Sequence, residues 1–582
     1  MKKFLVALIV LLVLAGTASY FLWYKPQQAI QATPLQILPP DTLAVFEARD
    51  LKATIDGFRS GPLGQALTGI DIREAGLKLD AEPEEIEELI AFQKELAQTV
   101  DGPWFDELFG QQVVLGLLPL DIDTGEEPAP ETFLRAPVLV TQPRQPAKLM
   151  DSLSKLLIKD IEITTETIEG HTVNKAVAPD APPFYYAVNQ GLVVAGLDPD
   201  PILRCLNQDP AKSPGLASAA AYQSMETALE AGQATRFKAF IDFESSVKWI
   251  EKNLPKLSAD DQDMEDFKQI LPYLAGLQTF GQTFAVDSGK MITGKARVLF
   301  DAQALHPAVA GVVDMTPGAN PTLAMVPRDA IYYTWQNYQD LSDLWETLES
   351  SEDFSPEDAV QARGAFQGFT GVELEEALAA IGPQTAWVFN DLISGGFFPV
   401  PELALIMQSS KPAVLIRILE SLAANLNVTL ATEEVAGQTL TYAETPMGED
   451  LSPAFICSGD YCTIATNRRL LKAMLTTGKE AGLNSNPKFQ AVGKGFTDET
   501  NQIAFIDLER GVAKVKDVIK WGMSMAAMAA EKDGPDMTYA LNHIVYPLLD
   551  ALAQYPAMGS RTLIQKDNII GDVYIQAPPA AQ

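Results

Sequence analysis

The residues best able to do chemistry are few, and two cysteines have the most informative spacing. Cys457 and Cys462 flank a four-residue segment that is typical of a two-residue hairpin turn, with Gly459 and Asp460 at its tip. Such a hairpin would place the two thiols directly opposite each other, where they can form a disulfide in an oxidising compartment. A pair of free buried thiols and a redox or metal pair are the alternatives. Two thiols without a nearby histidine make a poor zinc site.

The other reactive residue types fall in patterns that favour structural roles. His171, His306 and His543 are far apart and lack the spacing of metal ligands. The segment from Asp121 resembles the start of a calcium loop, but its twelfth position is Thr132 rather than the glutamate that such a loop requires. We therefore interpret it as a solvated hairpin loop.

Motifs for catalysis are also missing from the sequence. There is no phosphate loop, dinucleotide fingerprint or nucleophile elbow, and two Ser-x-x-Lys pairs lack the companion motifs of acyl-enzyme families. Cys205 lies among apolar residues of a short predicted helix, which indicates a buried thiol. We predict no catalytic residue, no cofactor and no metal site, and a hydrolase is kept only as a further alternative.

One predicted helix, from Val512 to Ala530, is rich in large flexible side chains. It contains Trp521, Met523, Met525 and Met528. Methionines can line an adaptable apolar groove for a lipid tail or a partner helix, and they can equally fill a core. Both interpretations remain open.

The elements that position these residues occur twice along the chain. Ala239–Glu244 (AFIDFE) returns as Ala504–Glu509 (AFIDLE), and Leu38–Val45 returns as Val326–Tyr333, with further matched pieces in the same order. The repeat is much longer than the units of about 20 to 50 residues that build solenoids. The pattern therefore predicts two sibling domains.

Within the repeated hexapeptide, the acid has a structural explanation. Asp242 and Asp507 each stand where a predicted strand becomes a helix, and a carboxylate there can accept hydrogen bonds from the free amides of the first helical turn. A catalytic pair drawn from the two domains is the alternative.

The predicted fold class is α+β. We expect two homologous lobes, each an antiparallel β-sheet flanked by helices, after one N-terminal transmembrane helix. The predicted segments are an anchor or signal peptide at 1–25, a spacer at 26–37, lobe 1 at 38–305, a linker at 306–321, lobe 2 at 322–578 and a tail at 579–582.

The N-terminus is typical of a membrane anchor. An apolar run from Phe4 to Tyr24 follows two lysines, and a helix needs about 20 such residues to cross a bilayer. The lysines would keep the N-terminus in the cytoplasm and send the remaining chain to the other side. A signal peptide that is cleaved is the alternative. The side chains expected in the membrane include Phe4, Leu11, Leu14, Phe21, Trp23 and Tyr24.

The charge of the chain restricts its partners. A formal net charge of −33 disfavours binding to the phosphate backbone of nucleic acids, because like charges repel. We expect the cytoplasmic membrane, through the N-terminal helix, and an envelope protein as partners.

Several short motifs occur along the chain, namely the Leu-Pro-x-Asp opening at Leu38–Asp41, the strand-to-helix step at Gln142–Pro146, and the hairpins at Phe184–Leu197 and Phe455–Thr466. These motifs resemble those of bacterial membrane-anchored envelope proteins that are classed only as domains of unknown function. The resemblance covers most of both lobes and implies an exported protein, held in the bacterial inner membrane with its bulk in the periplasm. We predict a non-catalytic interaction or scaffold protein. A carrier or sensor of an apolar ligand such as a lipid or lipoprotein is the alternative.

Overall fold

The computed structural model describes most of the chain. The described residues are 32–122, 135–144, 162–177, 182–230, 232, 235–257, 261–287, 291–338, 341–350, 354–394, 398–446, 448–477, 482–529 and 536–579. They form two compact units. The first unit contains the described residues of Met1–Asp287, Gly294–Val309 and Pro535–Ile544, and the second contains those of Ser288–Thr293, Ala310–Gly534 and Val545–Gln582.

The described residues as far as Phe300 form ten strands. They are β1 (Ala44–Arg49), β2 (Gln112–Leu117), β3 (Pro137–Gln142), β4 (Glu162–Ile168), β5 (His171–Val177), β6 (Phe184–Asn189), β7 (Leu192–Gly196), β8 (Thr235–Asp242), β9 (Leu277–Asp287) and β10 (Met291–Phe300). The second half supplies β11 (Tyr332–Gln336), β12 (Ile381–Ser394), β13 (Pro399–Ser409), β14 (Leu430–Val435), β15 (Gln438–Ala443), β16 (Ala454–Ser458), β17 (Tyr461–Ala465), β18 (Gln502–Asp507), β19 (Ala557–Ile564) and β20 (Asn568–Gln576).

Helices connect and cover these strands. Those that precede β11 are Pro34–Ile37, Leu51–Ser60, Pro62–Thr68, Ile72–Lys78, Pro83–Asp101, Pro103–Phe109, Pro199–Leu206, Gly215–Ser218, Ala220–Leu229, Phe243–Leu257, Asp261–Leu274, Pro307–Val313 and Pro321–Met325. Those that follow β11 are Leu341–Glu349, Pro356–Thr370, Leu374–Leu378, Pro412–Asn425, Glu449–Leu451, Arg468–Thr476, Leu483–Ser485, Pro487–Val492, Leu508–Ala529, Met537–Ala540, Leu541–Val545 and Tyr546–Leu552. The predicted α+β class, with helices and antiparallel sheet, is confirmed.

Both units have the same strand order. In the first unit the neighbours run β4-β5-β6-β7-β3-β2-β1-β8-β9-β10. In the second they run β14-β15-β16-β17-β13-β12-β11-β18-β19-β20. The nth strand of one order therefore has a counterpart in the other, and all the registered pairs are antiparallel. Equivalent positions can be compared strand by strand.

The core of the first unit lies on one face of its sheet. Side chains such as Val45, Val114 and Phe240 pack there against Tyr222 and Met225 of the helix Ala220–Leu229. A second cluster lies on the opposite face, where the helix Pro103–Phe109 covers β6 and β7. On this same face, Val113 of β2 packs against the second cluster, whereas Phe46 of β1, Leu115 of β2 and Phe284 of β9 stay exposed.

Turn residues and a proline explain several local features. The hairpins β4–β5 and β6–β7 turn at Glu169-Gly170 and at Gln190-Gly191, with positive φ at all four residues. Residues 51–68 form two helices, because Pro62 begins a new one after a break at Gly61. The segment 306–321, predicted to be a linker, contains the helix Pro307–Val313.

The predicted membrane anchor lies outside the described residues, together with Phe4, Leu11, Leu14, Phe21, Trp23 and Tyr24. Within the described part of the chain, every helix is too short or too polar to cross a bilayer. The transmembrane helix therefore stays a prediction. The calcium-like loop after Ile122 is also outside the described residues.

Candidate interaction surfaces

The two spaced cysteines form a disulfide, as the hairpin pattern predicted. Cys457 and Cys462 stand opposite each other in the β16–β17 hairpin, with their Cα atoms 4.0 Å apart. The bridge packs in a small core with Val414 and Leu415 of the helix Pro412–Asn425. Cys205 is a buried free thiol, and burial raises its pKa to about 12. Its environment makes it a packing residue rather than a nucleophile.

The recurring acids are helix caps. Asp242 Oδ1 accepts a hydrogen bond of 2.8 Å from the Ser245 amide, and Asp507 Oδ1 accepts one of 3.1 Å from the Arg510 amide. Because each carboxylate has this local partner, capping explains why an acid recurs at both positions.

Asp507 also belongs to an open cavity of about 560 Å³ in the second unit. Its lining residues are Asp329, Asn486, Pro487, Lys488, Asp507 and Arg510. Lys488 Nζ lies 2.8 Å from the carboxylates of both Asp507 and Glu509. Burial alone would lower the pKa of Lys488, but the hydrogen bonds and the attraction of the two carboxylates together outweigh burial and raise it. Two charged residues that line the cavity, Lys488 and Asp507, thus already pair with each other.

The helix Leu508–Ala529 places the predicted groove residues on two faces. Trp521 is exposed and shares a stripe with exposed Val515 and Val518, spaced three residues apart. Met525 follows Trp521 by four residues and extends this stripe. Met523 is three turns from buried Val512, on the same side of the helix, and is half-buried. The Met528 side chain is outside the described part of the chain, so the groove of four residues stays a prediction.

A further apolar surface lies on the sheet of the first unit. Strand register places twelve side chains there in three rows of four, on β2, β1, β8 and β9. We call these twelve positions the open face. The rows are Leu117, Ala44, Ile241 and Phe280; Leu115, Phe46, Ala239 and Gln282; and Val113, Ala48, Phe237 and Phe284.

Eleven of the twelve open-face residues are apolar, and several of them contact solvent. Phe46 is 48% exposed and Leu115 44%, while Phe284 is 42% exposed. The rings of Phe46 and Phe237 stack with their centroids 5.9 Å apart. Hydrophobic residues scattered singly on a surface need no explanation, but a contiguous apolar patch marks a site of interaction.

A charged border lies at one end of the open face. Asp50 follows Ala48 by two residues, and its Oδ1 lies 2.9 Å from Arg144. Arg236 contacts the other carboxylate oxygen, and Arg144 Nε lies 3.2 Å from Asp106. An apolar centre with a polar border is the usual composition of a protein–protein interface.

The same positions are more polar in the second unit. By strand register, Phe46 corresponds to Thr334, Phe237 to Gln502 and Phe284 to Thr562. The same strand order therefore occurs with either set of side chains at these three positions.

Beneath the open face, the opposite side of β1 and β8 contains a buried ion pair. Glu47 and Lys238 are cross-strand partners, 2% and 4% exposed, and Lys238 Nζ lies 2.9 Å from Glu47 Oε2. Lys238 also lies 3.0 Å from Glu226 and donates a hydrogen bond to the Tyr222 hydroxyl. Gln112 Nε2 donates to Glu47 at 2.9 Å. Each buried charge thus has several partners, as burial requires.

Burial and attraction act in opposite directions on this pair. Burial alone would raise the pKa of Glu47, but the attraction of Lys238 and Arg49 outweighs burial and lowers it. Burial would likewise lower the pKa of Lys238, yet the attraction of Glu47 and Glu226 raises it. Both groups therefore stay ionised at neutral pH. The corresponding pair in the second unit is apolar, Trp335 opposite Ile503.

Sequence reasoning missed both features. The signal for the open face was present, since AVF at Ala44 and VVL at Val113 are continuous apolar runs rather than alternating ones, which indicates apolar side chains on both faces. For the ion pair the only signal was one charge inside each of two apolar strands, Glu47 and Lys238.

Comparison with known proteins gives a family but no activity. A family model described as "Protein of unknown function (DUF3352)" matches residues 103–531. None of the curated proteins matches the chain. A solved structure titled "Structure of crystal form I of TP0453" is similar over 48% of this chain and 83% of that chain, at 8% identity and a TM-score of 0.21.

The family match extends over more than half of the chain and includes residues of both compact units. It confirms the predicted membership in a family whose function is unknown. The chain belongs to the DUF3352 family of proteins of unknown function.

Proposed function

We propose that this chain is a non-catalytic interaction protein of the bacterial envelope. It is held in the inner membrane by the helix from Phe4 to Tyr24, with its bulk on the periplasmic side. The disulfide between Cys457 and Cys462 supports that side, because disulfides persist in the periplasm and are rare in the cytosol.

The observation that supports this function most strongly is the open face. Its apolar centre is exposed around Phe46, and charged residues around Asp50 border one end. Leaving these side chains in water forgoes the stabilisation of about 25 cal/mol for each Å² of apolar surface that burial would give. A protein partner with an apolar patch of its own would recover that free energy.

We further propose that the two units are homologous lobes that arose by duplication. The identical strand order and the repeated hexapeptide support this origin. Divergence after duplication explains why equivalent positions differ, with Phe46 apolar in one lobe and Thr334 polar in the other. The first lobe specialised as the binding surface.

Photo-crosslinking in living cells tests the interaction. A photo-reactive amino acid replaces Phe46 in one variant and Thr334 in a matched control, because these positions are equivalent in the two sheets. We expect a discrete adduct with one protein from position 46 and none from position 334. Equal adducts from both positions, or none from position 46, would overturn the assignment of the open face.

Protease accessibility tests the location. In cells whose outer membrane is permeabilised, we expect an added protease to digest the chain while its N-terminus remains with the membrane fraction. If the chain is protected from the protease until the inner membrane is broken, the proposed orientation is wrong.

A second candidate function is the binding of an apolar ligand along the helix Leu508–Ala529. The exposed stripe of Val515, Val518 and Trp521 favours it. Native mass spectrometry of protein prepared without detergent would reveal a bound lipid of defined mass. We expect a Trp521→Ser variant to lose that ligand, whereas unliganded wild-type protein would remove this candidate.

A further inference from the structure

Each unit inserts a group of helices between its first two strands in chain order. In the first unit, helices run through residues 51–101, between β1 and β2, and we call this segment the first arm. In the second unit, helices run through 341–378, between β11 and β12, and we call this segment the second arm. The arms occupy equivalent places in the two folds.

The first arm buries almost nothing of its own. Of its 51 residues, only Gly64, Ala75, Ile86 and Val100 are buried. Large apolar side chains stay more than 40% exposed instead, namely Phe58, Leu67, Leu77, Leu89 and Leu96. Most helices in proteins are stabilised by packing an apolar face, so a group of helices that leaves its large apolar residues in water is suited to be covered by another molecule.

Two of these residues form a stripe on the longest helix of the arm. Leu89 and Leu96 are seven residues, or two turns, apart on Pro83–Asp101 and therefore share a face. The exposed acids Glu85, Glu88 and Glu95 flank them. The first arm contains eleven acidic and five basic residues, so the stripe is set in a negative field.

The second arm repeats this combination with different residues. Leu344 and Leu348, one turn apart, are both exposed on Leu341–Glu349. The arm contains ten acidic residues and one basic residue. That residue, Arg363, is held by ion pairs to Glu349 and Glu375. The positive charge of Arg363 is thus paired with carboxylates of the same arm.

We propose that each arm binds a basic amphipathic helix of a partner protein. Leucines of the arm would contact the apolar face of that helix, and its lysines or arginines would face the flanking glutamates. Charge complementarity selects this occupant, because an anionic membrane surface or a second copy of this acidic chain would be repelled. The proposal rests on the proposed function and adds the chemistry of the partner.

The test uses purified full-length protein and three labelled peptides of equal length. The first peptide is an amphipathic helix of leucine and lysine, the second replaces each lysine by glutamate, and the third replaces each leucine by serine. Fluorescence anisotropy gives the Kd of each. We expect only the first to bind well, and its affinity to fall steeply as salt is raised, because exposed charges are screened within about 10 Å at 0.1 M ionic strength.

Variants locate the site on the arms. A variant that combines Leu89→Ser, Leu96→Ser, Leu344→Ser and Leu348→Ser changes both arms and should weaken binding of the first peptide about tenfold. Ile270→Ser is the control, since Ile270 is exposed on the helix Asp261–Leu274 and belongs to neither an arm nor the open face. Melting temperatures should stay unchanged in both. Should the combined variant fold poorly, the Leu89→Ser, Leu96→Ser pair alone should lower the number of peptides bound per chain from two to one.

Several results would overturn the proposal. If the serine peptide binds equally well, the protein recognises only the positive charge of the peptide. If the glutamate peptide binds equally well, positive charge does not contribute to recognition. Undiminished binding to the combined variant, or an unchanged number of bound peptides in the Leu89→Ser, Leu96→Ser variant, would place the peptide elsewhere. A dimer that dissociates on Leu89→Ser, Leu96→Ser substitution would make a second copy the occupant. The crosslink from position 46 does not depend on the arms, so its presence separates failure here from failure of the proposed function.

Discussion

At the scale of single residues, the two units use opposite solutions at one cross-strand position. The first unit buries the charges of Glu47 and Lys238, and the second buries Trp335 and Ile503. A buried ion pair contributes less stability than its short distance suggests, because removing both charges from water offsets much of their attraction. Removing only one of the two charges is strongly destabilising, because the other stays buried without its partner.

We therefore expect Lys238→Met to destabilise the first unit by about 3–5 kcal/mol, because Glu47 would remain charged and buried without its main partner. The double variant Glu47→Leu, Lys238→Met should recover most of that loss. Urea unfolding gives the free energies. Lys295→Met, which removes an exposed pair with Glu230, is the control and should change stability by less than about 1 kcal/mol. A double variant as unstable as Lys238→Met would contradict this account.

The pH dependence of stability follows from the lowered pKa of Glu47. A carboxyl group whose pKa is lower in the folded state stabilises that state above its unfolded pKa, near 4.5, and loses this contribution as the pH falls further. We expect the stability difference between wild type and Glu47→Gln to be constant from pH 6 to 8, within about 0.5 kcal/mol, and to shrink below about pH 4.5. If the stability difference grew on acidification, the pKa of Glu47 would be raised in the folded state and not lowered.

Thiol counting tests the three cysteines together. Cys205 is buried with a raised pKa, and Cys457 and Cys462 are bonded to each other. A thiol reagent at pH 8 should find no reactive thiol in the native protein, one after denaturation and three after denaturation with a reductant. Three reactive thiols without reductant would exclude the disulfide.

At the scale of elements, the sequence predicted what depends on neighbours in the chain. The hairpin at Cys457 and Cys462 and the caps at Asp242 and Asp507 depend on residues at most five positions apart, and all of them are present. The pairing of Glu47 with Lys238 depends on the register of strands far apart in the chain. No local pattern specifies such a register.

Asp242→Ala should cost about 1 kcal/mol of stability, because the Ser245 amide loses its partner at the start of the helix. Asp242→Asn retains a side-chain oxygen that can accept the same hydrogen bond, so it should lose less. Thermal unfolding of both variants gives the comparison. If asparagine and alanine destabilise the protein equally, the carboxylate acts there by its charge and not as a cap.

At the scale of the whole molecule, one strand order occurs with two different surfaces. The prediction missed the open face because its exposure depends on which helix covers which part of the sheet. The helix Pro103–Phe109 covers β6 and β7, yet Phe46 on β1 stays exposed. The first unit thus has Phe46, Phe237 and Phe284 at positions where the second unit has Thr334, Gln502 and Thr562.

The most direct test of the interaction replaces residues of the open face by those at the equivalent positions of the second unit. The triple variant Phe46→Thr, Phe237→Gln, Phe284→Thr gives the first unit the residues of the second at equivalent positions. Native electrophoresis of membranes dissolved in a mild detergent gives the size of the complex that contains the wild-type chain or the variant. We expect the wild type to migrate in a larger complex, and the folded variant to migrate as the free chain. Identical migration of the two, whether both are free or both are in the complex, would contradict an interaction through the open face.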